Sequence, residues 1–209
     1  MDAERQKVVS VNASEAQQII NYWASSELIT NAMHLARFYH RDQKRKYTGD
    51  PYFTHLQNVA MYVSTVTADE ATIAAAFCHD LLEDTDCVES SMLVWTSPRT
   101  VEYVKLLTNP PKSEGNRAHR KAIVRERLKH APAEVQTLKV ADLTDNCRSI
   151  VEHDEAFAWT YIDEAVDLLE GLTKADLKLR GALADSLTRS VAELEQRKLD
   201  RALDPLKRG

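Results

Sequence analysis

Apolar and polar positions along the 209-residue chain alternate with helical spacing almost throughout. Leu28, Ala32, Leu35 and Tyr39, with Ile29, Met33 and Ala36, recur three and four positions apart, which places them on one side of an α-helix. The spacing predicts a helix from about Ser26 to Lys44, ended by "YTGDPY", where Gly49 and Pro51 break the pattern. A helix is predicted before it from about Ser14, with Gln17 three residues on as in a capping box, after a loose polar start over residues 1 to about 14. His55, Val59, Ala60 and Val63 mark a third helix from about Phe53. Asp69 is placed to cap a fourth, which carries "AAAFCHDLLEDT".

Further on, "TSPRTVEYVKLLTNPP" reads as a helix with Pro98 in its first turn and a stop at Pro110-Pro111. "KSEGN" reads as a loop, Arg117 to His130 as a strongly basic helix, and "AEVQTLKVADLTDNCRSIV" as the next, with Val135, Leu138, Ala141 and Ile150 on one side. Residues from about Glu155 to Leu199 form one or two long amphipathic helices, broken at Gly171 or Gly181. β-branched alternation is scarce and no linker composition interrupts the chain. The expected fold is all-α, one domain over residues 1–209.

A net charge of −5 argues against general binding of nucleic acid or anionic membrane, so an anionic ligand needs a local basic patch or a metal. No apolar run approaches the roughly 18 residues of a membrane span, and "MDAERQKVVSVNAS" lacks the apolar core of a signal peptide. The three cysteines, Cys78, Cys87 and Cys147, show no CxxC spacing and read as reduced thiols of a cytoplasmic protein.

The chemistry concentrates where the fourth helix changes character. Six small or apolar residues, Ile73 to Cys78, lead directly into His79-Asp80, followed one turn later by Glu83-Asp84. On a continuous helix, His79 and Glu83 share a face, as do Asp80 and Asp84. Buried unpaired carboxylates are costly, and a divalent cation removes that cost by binding several at once. His55 and Asp142 are further candidates from other helices. Taken alone, Asp142 has a plainer role as the ion-pair partner of Lys139 or Arg148, and Arg41 and Lys44 as complements to a helix C-terminus. The basic helix has two readings: an anion-attracting surface, or a solvated face balancing the acidic C-terminal helices.

Taken in order, "HRDQKRKYTGDPYFTH", "TIAAAFCHDLLEDTD" and "LKVADLTDN" resemble the HD superfamily of metal-dependent phosphohydrolases, and within it the hydrolase domain of the RelA/SpoT homologues. That branch has the arrangement "H..Q.RK..G.PY..H", "HD..EDT" and "ADxxxN". The resemblance runs from about Ile29 to Val151, within a core of about residues 26–151, and in extent the chain is similar to the small stand-alone alarmone hydrolases. It implies hydrolysis of the 3′-pyrophosphate of ppGpp or pppGpp, giving GDP or GTP and pyrophosphate. It also implies His55, His79, Asp80 and Asp142 as ligands of a divalent metal, Mn²⁺ in this family. Glu83 and Asp84 match the catalytic acidic pair, and Arg45, Lys46, Asn146 and Ser149 match nucleotide contacts. The expected partner is thus a small nucleotide.

Two departures bear on substrate detail. Leu56 follows His55 where the family often has proline, and Leu143 follows Asp142 where a basic residue is usual. The alternative within the superfamily is hydrolysis of adenine alarmones or of other nucleotides such as NADPH. A binding protein without turnover is the reading from another class, and the intact acidic pair and ligand set speak against it.

Overall fold

The computed structural model describes residues 11–207, with side chains to 203, so the polar start expected over residues 1 to about 14 falls largely outside the described residues. Helix α1 (Ala13–Ser25) is capped by Asn12, whose side chain accepts from the Glu15 amide at 2.9 Å. The expected capping box at Ser14 does not form, and Gln17 bonds Asn21 instead. Ser26 caps α2 (Glu27–Tyr39), and its Oγ accepts from Ile29.

α2 stops five residues short of the expected Lys44, because from His40 onward no apolar face continues the stripe. The basic segment folds into a tight excursion. Lys44 pairs with Pro51 in an isolated antiparallel bridge, Arg45 N donates to Asp50 O at 2.8 Å, and Gly49 N donates to Arg45 O at 3.1 Å. Gly49 sits at φ +74°, in the left-handed region that costs a glycine nothing. The chain re-enters a helix at α3 (Phe53–Ser64).

Asp69 caps α4 (Glu70–Cys78) as expected, its carboxylate accepting from the Thr72 amide. Every residue of α4 from Ala71 to Cys78 is buried. Its alanines let α2, α3, α7 (Pro98–Leu107) and α9 (Ala133–His153) close around it. Phe77 meets Trp23 edge-on at 5.1 Å and Phe53 in a stack at 6.0 Å. Burial of side chains such as Ile73 and Phe77 stabilises the fold by about 1.5–3 kcal/mol each.

The fourth helix is not continuous through the acidic run. It ends at Cys78, and a short α5 (Leu81–Asp84) starts after a joint at His79-Asp80. The joint keeps helix-like backbone angles, and Asp84 N still donates to Asp80 O at 2.9 Å, so Asp80 and Asp84 remain one turn apart. An unanticipated α6 (Glu89–Trp95) precedes α7. "KSEGN" contains a single 3₁₀ turn at Lys112–Glu114, and Asn116 caps the basic α8 (Arg117–His130).

The C-terminal stretch divides at Gly171, not at Gly181. α10 (Glu155–Gly171) ends there, and α11 (Leu177–Lys207) runs unbroken through Gly181. The Asp176 carboxylate accepts from the amides of Lys178 and Leu179 and so opens α11, whereas the residues after Gly181 lie within an unbroken helix. α10 and α11 both lie against α9. The architecture is all-helical, and Lys44 with Pro51 is the one bridge recorded outside strands among the described residues.

Candidate metal and nucleotide site

Three elements bring the candidate ligands together. His55 comes from the first turn of α3, His79 and Asp80 from the α4–α5 joint, and Asp142 from the middle of α9. His79 Nε2 lies 3.2 Å from Asp80 Oδ2 and 3.7 Å from Asp142 Oδ1. His55 Nε2 lies 3.6 Å from Asp80 Oδ2 and 3.3 Å from Asp142 Oδ1. The ligating atoms of His55, His79 and Asp80 all fall within 4.8 Å of one another.

These atoms face a common centre without bonding one another. Both Nε2 atoms are buried and have no hydrogen-bond partner among the described residues. Each ring instead engages its other nitrogen: His55 Nδ1 with Asp145 Oδ2 at 2.6 Å, and His79 Nδ1 with the Ala76 carbonyl at 2.8 Å. An Nδ1–H donated to those acceptors leaves the Nε2 lone pair pointing inward, the tautomer a metal ligand requires. Two imidazoles and two carboxylates converging in this way fit a divalent cation.

Charge balance reinforces the fit. Burial pushes the His79 imidazole down, but the neighbouring Asp80 and Asp142 carboxylates overcome it and hold its pKa well above the ordinary value. At His55, burial is likewise outweighed by the Asp142 carboxylate beside it and by bonding to Asp145, which raise its pKa. Burial alone would raise the Asp142 carboxyl, yet the Lys139 ammonium holds it well below its usual range. That ammonium stands 2.7 Å from Asp142 Oδ2, with both side chains almost closed to solvent. The plainer role weighed for Asp142, an ion pair with Lys139, therefore coexists with its place beside the histidines.

The acidic pair lies at the mouth of the cluster. Asp84 is pushed up to about 6 by desolvation and by the charges of Asp80 and Glu83. The Tyr52 hydroxyl stands 2.6 Å from Asp80 Oδ2 and 3.3 Å from Asp84 Oδ2, tying the two carboxylates together. Glu83 is clamped from the loop after α7: the Asn109 amide and side-chain nitrogen both donate to it, at 2.8–3.0 Å.

Three of the four nucleotide candidates meet. Arg45 donates to Asn146 Oδ1, Asp145 Oδ2 and Ser149 Oγ, each at 3.1 Å. Asn146 also donates to Asp142 Oδ1 at 2.7 Å, linking this group to the ligand cluster. Lys46 does not join them. It points outward to Tyr47 and Asp154, with 73% of its side chain exposed.

A cavity of about 180 Å³ opens against His79, Asp80 and Asp142. Lys121, Lys139 and Tyr161 line its far wall and continue into a groove of about 300 Å³ between α8 and α10. The basic helix thus divides its roles. Lys121 faces the cavity, while Arg117 pairs with Glu164 and Arg125 with Asp167, the acidic balance weighed from the sequence. Arg41 bonds the Phe38 carbonyl at the end of its own helix. Sequence reasoning missed Asp145, Tyr52, Asn109 and Tyr161. Asp145 had one signal, since it stands three residues after Asp142 and hence on the same face of α9.

Comparison with known proteins places these features in a lineage. The family model described as HD domain matches residues 32–172. A guanosine-3′,5′-bis(diphosphate) 3′-pyrophosphohydrolase of Aquifex aeolicus is 34% identical over 149 residues, which cover 68% of this chain and 20% of that protein. The chain thus spans about a fifth of the first curated relatives it matches. A protein of the same description from Drosophila melanogaster is 30% identical over 158 residues, covering 69% of this chain and 86% of the relative. The solved structure of a metazoan SpoT orthologue superposes with a TM-score of 0.73 at 24% identity, over 78% of this chain and 96% of the other, a likeness of fold.

Proposed function

Because the chain belongs to the HD domain family, we propose that it hydrolyses the 3′-pyrophosphate of guanosine alarmones, releasing GDP or GTP and pyrophosphate. The observation that carries this reading is the pair of buried, unpartnered Nε2 atoms of His55 and His79, facing Asp80 and Asp142 beside a second acidic pair. Two relatives described as guanosine-3′,5′-bis(diphosphate) 3′-pyrophosphohydrolases, one matched over 86% of its length, support the choice of substrate.

In this reading His55, His79, Asp80 and Asp142 would hold a divalent ion, and their mixed nitrogen and oxygen donor set is compatible with Mn²⁺. Bound there, such an ion would supply positive charge to polarise a phosphoryl oxygen and a water molecule. Asp84, pushed up to about 6, accepts the proton the water loses as it attacks phosphorus; the bond from phosphorus to the ribose 3′ oxygen breaks, and that oxygen takes up a proton from solvent. Glu83, held by Asn109, orients that water. Lys121 and Lys139 face the leaving pyrophosphate across the cavity. Arg45, Asn146 and Ser149 hold the nucleoside, the guanidinium offering both a stacking plane and donors; Lys46 meets the nucleotide from the rim.

No helix among the described residues is long and apolar enough to cross a membrane. The three free, buried cysteines support a reducing compartment, the cytoplasm. α11 lies beyond the residues matched by the family model but against α9, which supports counting it in the same domain.

Metal-replete protein should convert ppGpp to GDP and pyrophosphate, resolved by anion-exchange chromatography. Asp84→Asn should lower turnover by about 10²–10⁴-fold while Mn²⁺ still binds. Turnover of an adenine alarmone or of NADPH, with ppGpp untouched, would transfer the assignment to that nucleotide.

A further inference from the structure

One helix grips both ring nitrogens of His55. Asp142 Oδ1 faces Nε2 at 3.3 Å, and Asp145 Oδ2 meets Nδ1 at 2.6 Å, the two carboxylates standing three residues apart on α9. Asp145 is almost closed to solvent and fully engaged. Asn58 Nδ2 donates to its Oδ1 at 2.8 Å, and Arg45 Nη2 donates to its Oδ2 at 3.1 Å. One carboxylate oxygen therefore serves both the imidazole and the guanidinium. Two donors on one oxygen compete, because each draws on the negative charge the other uses. A carboxylate on the non-ligating nitrogen of a metal-binding histidine fixes its tautomer and strengthens the ligating nitrogen as a donor.

We propose that Asp145 is a positioning residue that couples nucleotide binding at Arg45 to metal binding at His55. This rests on reading His55 as a metal ligand and Arg45 as a nucleotide contact. When a phosphate or purine engages the Arg45 guanidinium, its hold on Asp145 Oδ2 slackens. Asp145 then accepts more strongly from His55 Nδ1–H, and Nε2 becomes the better donor to the ion. By linkage, the ion tightens nucleotide binding by the same factor. Arg45 also reaches Asp142 through Asn146, but that bridge is a neutral amide and transmits no carboxylate charge.

The test is a double-mutant cycle on the full chain, read by calorimetric titration with Mn²⁺ alone. Asp145→Asn keeps shape and an acceptor but removes the charge, and should weaken Mn²⁺ binding by about 10–100-fold. Arg45→Gln should tighten Mn²⁺ binding by about fivefold or more when Asp145 is present, and by much less in the D145N background. An equal effect of R45Q in both backgrounds overturns the coupling, since through-space repulsion between guanidinium and ion acts in both. A wild-type chain that binds no Mn²⁺ overturns the reading of the site itself, a distinguishable failure. If D145N does not fold, the His55 Nδ1–H proton resonance of metal-free wild type and R45Q decides. It should move downfield in R45Q as its bond to Asp145 shortens, and an unmoved resonance sinks the proposal.

Discussion

The α4–α5 joint and the polar face of α9 meet across the same cavity but balance their charges differently. On α9, Asp142 and Asp145 each have a cation of their own: Lys139 lies 2.7 Å from Asp142, and Arg45 lies 3.1 Å from Asp145. At the joint, the ion-pair partners of Asp80 among the described residues are His55 and His79. The α9 side is therefore neutralised by the chain itself. The joint depends on histidine protons or on a cation from outside, and it stands at the end of a helix with no exposed face. Buried apolar helix and charged joint are two halves of one device: the first fixes the second where water is scarce and charge is felt strongly.

The largest effect expected from this asymmetry is at Asp80. Asp80→Ala should abolish Mn²⁺ binding and lower turnover by about 10³-fold or more, several kcal/mol of lost charge stabilisation at roughly 1.4 kcal/mol per tenfold. Titration calorimetry with a turnover assay reads both, and retained metal binding would break the comparison. Lys139→Met probes the other side. It takes the ammonium from a buried carboxylate, leaving it only the two imidazoles and Asn146, and should destabilise the metal-free protein by up to about 3–5 kcal/mol. Mn²⁺ should recover much of that loss, as urea melts with and without the ion would show.

The pH dependence follows from the histidines, with opposite signs in the two states. The raised pKa of folded His79 means that metal-free protein gains stability from its proton. That contribution is complete below the unfolded value of about 6.5, and is lost as pH rises through the higher folded value. Metal binding requires the neutral ring, so Mn²⁺ affinity should fall as pH falls, by up to about tenfold per unit for each proton displaced. Thermal melts across pH, with and without Mn²⁺, should therefore slope in opposite directions. The smallest effect should be at the rim: Lys46→Ala, removing an exposed and solvent-screened charge, should change KM only a few-fold and leave Mn²⁺ binding unchanged.

Much of this was readable from spacing. Asp69 caps the helix it was expected to cap, the second helix starts beside Ser26 as the spacing placed it, and the unbroken apolar character of Ile73–Cys78 marks the helix that proves buried on all sides. The order His55, His79-Asp80, Asp142 names residues that the fold brings within a few ångströms of one another. What spacing could not convey was the joint, because helix-like angles persist through His79-Asp80 and periodicity registers only angles. Nor could it convey the excursion after Tyr39, which is built by backbone bonds from Arg45 to Asp50 and Gly49. Asp145 looks like any polar residue on a helix until His55, ninety positions earlier, is folded against it. Lys46 shows the converse: beside Arg45 in sequence, it leaves the cluster because residues 43–52 turn it outward.

The size of the chamber beside the histidines bears on how this protein could be blocked. At about 180 Å³ it is smaller than the roughly 300 Å³ at which pockets begin to engulf drug-sized ligands. In the proposed function that size suits a pair of phosphoryl groups, with the sugar and base reaching beyond the chamber. A competitor therefore needs no nucleoside: a compact, non-hydrolysable bis-anion spanning Lys121 and Lys139 would suffice. Substitutions at Arg45 or Ser149, which do not line the chamber, should leave its grip largely intact, so escape from such a compound would have to alter the lining residues.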